Sequence, residues 1–221
     1  MKKISLCILI IVALGCGLPK KLRVVDEKSS SIIGISVRTI TLSIFKNRPE
    51  VVYFVKLDED TENNLGVKII PTNYTRGDYA YLINAAPGKY AAVASFFTQT
   101  DNSYNTFYDA AAIQAGIIEV GPNQIVYAGA LIIENQMKNL YQNIEQNGDQ
   151  SQLYYYNLLK SFMYGTNYCG SLIKKEKNPG DEDEFLKRTK AYFKDSEWIP
   201  LIDRTIEESA KKSAKIPDSA Q

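Results

Sequence analysis

From Ile32 to Glu134 the apolar residues fall in short stretches rich in Val, Ile, Tyr, Phe and Thr, broken by turn residues. This spacing predicts β-strands. Ile33, Ile35 and Val37 share one phase, while Ile40, Leu42 and Ile44 share the other, so a bulge or break near Arg38 and Thr39 must re-aim the buried face. Val51, Tyr53, Val55 and Leu57 alternate, and the acidic turn Asp58 to Asn64 leads on to Val67, Ile69 and Ile70, a predicted hairpin. Tyr79, Tyr81 and Ile83 form the next alternating segment. After it, Pro87 fixes φ and Gly88 can take a positive φ, which predicts a type II turn and a second hairpin into Ala91 to Phe97. Asp101 to Tyr108 reads as a polar loop, Asp109 to Ala115 fits either helix or strand, and Ile117 to Val120 reads as a short strand. Gly121, Pro122 and Asn123 then turn the chain into Gln124 to Ile133, apolar on both phases, as befits a strand with covered faces.

After Glu134 the period lengthens. Met137, Leu140, Tyr141 and Ile144 have helical spacing, and Leu153, Tyr156, Leu159 and Met163 resume it beyond Gly148 and Asp149. A third helix is predicted through Phe185, Leu186, Thr189, Tyr192 and Phe193, with Asp181 to Glu184 at its positive end. Trp198, Leu201 and Ile202 are expected to pack back on the body, with Pro200 near the start of a last helix. The expected fold class is α+β, an antiparallel β-sandwich followed by a C-terminal helical region. Its divisions are a leader over 1–15, a lipidated N-terminus and tether over 16–31, the sandwich over 32–134, helices over 135–209 and a disordered tail over 210–221. Leu22 to Val25 could alternatively form a first edge strand.

The N-terminus carries the sharpest signal. Lys2 and Lys3 precede an apolar run from Ile4 to Leu14, which is too short to span a hydrocarbon layer of about 30 Å, and Gly15 and Cys16 follow. Val12-Ala13-Leu14-Gly15-Cys16 resembles a bacterial lipobox, although Leu14 sits one place nearer the cysteine than usual and Ala13 takes the usual leucine position. That relaxed order is similar to spirochaetal lipoproteins. The resemblance implies cleavage before Cys16, acylation of its sulfur and new amino group, and an outer-membrane address. The competing reading is an ordinary secretory leader cut nearby, which leaves Cys16 unmodified.

Two further resemblances bear on the fold. Ala86-Pro87-Gly88-Lys89-Tyr90 resembles the turn-plus-tyrosine element of transthyretin-like and carboxypeptidase-regulatory-like sandwich domains. The run Val120 to Gly129 is similar to the last two strands of small lipoprotein sandwiches grouped as domains of unknown function. Both imply a β-sandwich, and neither implies a reaction.

Charge and composition narrow the chemistry. Loss of residues 1–15 lowers the Lys+Arg count from 26 to 24 against 25 Asp+Glu, so no strong field draws in a nucleic acid. Membrane contact then falls to the acylated Cys16. The chain has no histidine, which removes the commonest general base and the commonest metal ligand. Cys169 is the cysteine left once Cys7 departs with the leader and Cys16 is acylated, and its neighbours Tyr168, Gly170 and Leu172 favour burial. As a nucleophile it would need a base to activate it, and histidine cannot serve. Asp181 to Glu184 are explained by the helix dipole rather than by acid and base chemistry. Fifteen tyrosines are the one compositional excess. Tyr154, Tyr155 and Tyr156 are consecutive on a predicted helix and cannot all face one core, so some of them are candidates for partner contact.

These observations lead to the expectation of a membrane-anchored lipoprotein acting as a non-catalytic interaction module for a host or envelope protein, with no cofactor and no metal. The alternative is a carrier of a small apolar ligand or lipid. Asp58 to Asn64 present oxygen ligands at alternate positions, but Asn63 stands where an EF-hand needs glycine and Ile69 where it needs glutamate. Calcium added up to millimolar levels should therefore leave the thermal midpoint of the protein unchanged in differential scanning calorimetry.

Overall fold

The computed structural model describes residues 22–26, 28–41, 46–57, 66, 68–136, 142, 145–146 and 150–213. The leader, Cys16, the acidic turn Asp58 to Asn64 and the apolar positions Met137, Leu140, Tyr141 and Ile144 lie outside these residues. The strands are β1 (Ser31–Thr41), β2 (Lys46–Asn47), β3 (Val51–Lys56), β4 (Ile69–Pro71), β5 (Tyr74–Arg76) and β6 (Tyr79–Ala85). They continue as β7 (Gly88–Gln99), β8 (Asn102–Tyr108), β9 (Ile118–Val120), β10 (Ile125–Gln136) and β11 (Thr166–Glu176). Four helices are described: α1 (Ala110–Ala115), α2 (Gln150–Leu159), α3 (Pro179–Tyr192) and α4 (Ile199–Ser213). None of them is long and apolar enough to cross a membrane.

The chain is a mixed α and β protein built on one hydrogen-bonded sheet. Its strand order is β4-β3-β7-β8-β11-β10-β1-β6-β5, with β2 beside β1 and β9 beside β7. The expected antiparallel pairing is corrected at two places, because β1 runs parallel to β10 and β8 parallel to β11. The second predicted hairpin is also corrected. β6 and β7 are joined by Ala86 and Pro87 alone, yet they do not pair, and β8, β11, β10 and β1 lie between them in the sheet. Three peptide steps reach no further than about 11 Å, close to the roughly 10 Å that separates facing β-layers. The sheet therefore curls until β6 and β7 face one another. Gly88 takes φ +144° at this corner, and Tyr90, buried on β7, donates its hydroxyl to the Ala86 carbonyl at 2.7 Å.

The curl encloses the main apolar cluster. Ile33, Ile35 and Val37 of β1, Val52 and Phe54 of β3, Leu82 of β6, Ala92 and Ala94 of β7, and Leu131 and Ile133 of β10 meet there. α1 adds Ala112 and Ile113, and α2 adds Tyr155 and Leu159. A second cluster lies on the other face of β1, β6 and β10. Ile32, Tyr81, Ile83, Ile125 and Tyr127 are covered there by Phe185 and Leu186 of α3, by Phe193 and Trp198, and by Leu201 and Ile202 of α4. The expected docking of Trp198, Leu201 and Ile202 on the body is thus observed.

β10 owes its doubly apolar sequence to a bulge. Gly34 pairs with Tyr127 and Ser36 with Ala130, so β10 carries one extra residue, and Gly129 takes φ +101°. Ile125 and Tyr127 face the helices before the bulge, whereas Leu131 and Ile133 face the main cluster after it. The irregularity expected near Arg38 and Thr39 is absent from the pairing of these residues, which remain in register with Ile132 and Ile133. Both faces of β1 are covered from Ile32 to Val37, whereas Ile40 is exposed and Leu42 and Ile44 lie outside the described residues.

Two further stretches differ from the sequence reading. Asp101 to Tyr108, expected as a loop, contains β8, in which Asn105, Thr106, Phe107 and Tyr108 are buried. Its polar residues are accommodated by side-chain bonds: Asn105 donates to Asn167 Oδ1 at 2.9 Å and to the Tyr164 carbonyl at 3.0 Å, and Thr106 Oγ1 meets Asn135 Oδ1 at 3.1 Å. The stretch 135–209 holds β11 as well as helices, and β11 brings Cys169 into the core with 1% exposure. Residues of the expected tether are docked. Leu22 and Val24 pack on the second cluster, and Val24 and Val25 donate backbone N–H groups to Glu197 and Asn84. Leu22 to Val25 form no strand.

Gly34 lets the two clusters share β1, since a Cβ built there would lie 2.2 Å from Phe185 Cε2. Phe185 is fully buried and contacts Tyr79, Tyr81 and Tyr127 through ring pairs of 4.7 to 5.9 Å. Phe185→Ala should destabilise the protein by about 3–5 kcal/mol, read from the urea unfolding midpoint at unchanged slope.

Candidate functional site

The floor of the candidate site is set by where α3 stops covering the sheet. Ile32 and Gly34 of β1 lie beneath Phe185, and the next residues on that face are Ser36 and Arg38. Past the bulge in β10, Ala130 replaces a large side chain beside Ser36. The result is a cleft of about 270 Å³ with Ser36, Ala130, Tyr79 and Tyr127 among its lining.

α3 supplies one wall. Asn178 caps it in a reciprocal box, accepting from Asp181 N at 3.0 Å and donating its own N–H to Asp181 Oδ2 at 3.1 Å. Pro179 at the first turn suits a helix start. The capped helix then projects Asp181, Glu184, Arg188 and Tyr192 along the cleft, one or two turns apart. The opposite wall comes from Arg38, from Glu176 at the end of β11, and from Arg48 and the β5–β6 turn residues Gly77 and Asp78.

The three arginines in this cleft are already paired. Arg38 Nη1 lies 3.5 Å from Glu176 Oε2, Arg188 Nε bonds Glu184 Oε1 at 2.6 Å, and Arg48 pairs with Asp78. The Lys174 ammonium, 2.6 Å from Glu176 Oε1 and joined by Arg38, holds the Glu176 carboxyl below its usual range. Burial pushes the phenols of Tyr79 and Tyr127 up, and the carboxylates Glu184 and Asp78 add to the effect at Tyr79. Arg76 lies over the Tyr192 ring, 5.3 Å from its centroid. Ser36 is 2% exposed, and its Oγ finds no hydrogen-bond partner among the described residues.

The residues singled out from sequence sit elsewhere. Tyr154, Tyr155 and Tyr156 are on α2, against the main cluster and away from the cleft. Tyr155 is 1% exposed, while Tyr154 and Tyr156 are half-buried and pack on the same cluster. Of the three consecutive tyrosines only Tyr155 is fully buried; Tyr154 packs edge-on to it at 5.1 Å and Tyr156 edge-on to Phe107 at 5.1 Å, and both keep part of their surface exposed. Asp181 and Glu184 do reach the cleft, although helix capping accounts for part of the acidic run. Ser36, Arg38, Tyr127 and Arg188 carried no sequence signal, because they converge only when β1, β10 and α3 are superposed. Among the described residues no group of three or more His, Cys, Asp or Glu is placed to hold a metal ion.

Comparison with known proteins identifies no relative: no family model, curated protein or solved structure matches the chain.

Burial pushes the Tyr155 phenol up to about 12 from 10.0. Because the folded value is the higher one, the unfolded chain loses this proton first as pH rises. The associated stability is complete below pH 10 and is lost between pH 10 and about 12. Tyr155→Phe should flatten that part of the stability profile, measured by urea unfolding at a series of alkaline pH values.

Proposed function

We propose that this chain is an acylated lipoprotein of the outer membrane that works without catalysis, as an interaction module of the cell envelope. The cleft between α3 and the outer face of β1 and β10 is the observation that carries the interaction half of this reading. It is concave, holds convergent polar groups and aromatic surface, and is built on a capped helix and central strands. A carrier of an apolar ligand would need an apolar interior cavity. Three clefts among the described residues, of about 270, 310 and 550 Å³, are each lined in part by charged side chains, including Arg38, Arg204 and Glu208. The non-catalytic half rests on chemistry. The chain has no histidine, and Glu176 is held in its ionised form, unsuited to donating a proton near neutral pH.

The membrane half rests on Lys2, Lys3, the apolar run and Cys16. Docking of Leu22 and Val24 adds a geometric consequence. Six residues from Cys16 to Leu22 reach at most about 20 Å, so the end of the body bearing Glu197 and Asn84 stands close to the bilayer. β11 runs antiparallel to β10, which sets its first residue, Thr166, toward the opposite end. The preceding loop, with Phe162 72% and Tyr164 81% exposed, then points away from the membrane.

Three acyl chains hold a protein far more firmly than one, at about 0.8 kcal/mol for each buried methylene. Mass spectrometry of the mature N-terminal peptide should find Cys16 carrying diacylglycerol and an N-linked acyl chain. The wild-type protein should partition into the detergent phase and Cys16→Ser into the aqueous phase. A bare Cys16 thiol in the native peptide would overturn the anchor.

A further inference from the structure

We infer that the cleft floored by Ser36 binds a neutral polyhydroxylated ligand, one residue of a saccharide, held between α3 and the strands β1 and β10. This rests on the cleft being the contact site, and it does not rest on the anchor.

The argument begins with the charges. Arg38, Arg48 and Arg188 each have a carboxylate beside them, and Asp181 is a fourth acid on the same lining. An anion would have to displace one of those carboxylates and approach the others. A cation would compete with three guanidinium groups that are already in place. A hydroxyl group does neither, because it donates and accepts at once. A guanidinium keeps several of its five N–H donors after one ion pair, and a carboxylate keeps lone pairs after one or two bonds. Guanidinium donors and carboxylate acceptors gathered around one small space match a ring of hydroxyls.

The floor carries the second part. Ser36 is nearly fully buried and lines the cleft, and its Oγ has no hydrogen-bond partner among the described residues. A buried hydroxyl kept from water without a partner is unfavourable, and such groups are rare in folded proteins. A ligand hydroxyl on the floor would satisfy it. The third part is aromatic. Tyr79 and Tyr127 line the same space, and both are fixed by Phe185, Tyr79 edge-on at 5.3 Å and Tyr127 stacked at 4.7 Å. Tyr127 is buried and backs the site, and the partly exposed Tyr79 offers preorganised apolar surface to the C–H groups of a sugar ring. At about 270 Å³ the cleft falls just under the range of drug-sized sites, which fits a single ring better than a long chain.

The test uses the full mature chain in a polyoxyethylene detergent, which has no sugar headgroup. Saturation-transfer NMR and calorimetry would be run with glucose, galactose, mannose, N-acetylglucosamine and their methyl glycosides, and with inorganic phosphate and choline as ionic probes. The expected result is binding of at least one neutral sugar, with the dissociation constant raised about tenfold or more by Arg188→Gln and by Ser36→Ala. Near-UV circular dichroism should show both variants folded as wild type. The inference is overturned if no neutral sugar binds at tens of millimolar, if phosphate or choline binds more tightly than every sugar, or if neither variant weakens binding. Absence of sugar binding leaves the mass of the N-terminal peptide unchanged, and a bare Cys16 leaves sugar binding unchanged, so the two failures are separable.

Discussion

Burial of β1 on both faces is the constraint from which the rest of the structure follows. Ile33, Ile35 and Val37 enter the cluster enclosed by the curled sheet, while Ile32 and Gly34 lie beneath α3. A strand so placed cannot slip by one residue, because every side chain would exchange cores. The absence of a Cβ at Gly34 lets Phe185 seat directly on the backbone, and that seat fixes the height of α3 above the sheet. Tyr79, Tyr81 and Tyr127 then close around Phe185.

The cleft is a by-product of the same arrangement. α3 is capped at Asn178 and runs past the sheet at a distance set by Phe185, so residues beyond Ser36 on that face of β1 lose their cover. The bulge at Gly129 brings Ala130 beside Ser36 and leaves room. Arginines and acids from β1, β11 and α3 gather at the rim, where solvent still screens them, so their pairs contribute little to stability. Their value lies in presenting donors and acceptors in fixed places. The floor is different, since Ser36 Oγ is buried and finds no hydrogen-bond partner among the described residues.

Much of the β-architecture was legible because period-two alternation survives wherever one face of a strand is covered. The pairing of β3 with β4 and the extents of β6 and β9 follow from such runs. Where both faces are covered, alternation vanishes, and β10 showed two phases whose cause lay in the bulge at Gly129. β8 was illegible for another reason: Asn105 and Thr106 look like loop residues until Tyr164, Asn167 and Asn135 arrive to bond them. The Ala86–Pro87 corner carries the residues of a hairpin turn, and local chemistry cannot tell a hairpin from a corner between facing layers. Tyr154 and Tyr156 looked surplus on a helical wheel, yet Tyr155 and Phe107 give their rings apolar neighbours.

The amino-acid sequence by itself determined most of the extended segments before Glu134, the acidic start of α3, the burial of Cys169, the near balance of charge and the absence of histidine. Each of these depends on neighbours within a few residues or on simple counts. Tertiary structure alone decided that the strands make one curled, mixed sheet, and that Ser36, Arg38, Tyr127 and Arg188 share a cleft. Those residues are far apart in the chain, and the contacts that unite them are set by strand order, by one extra residue in β10 and by the seat of Phe185 on Gly34.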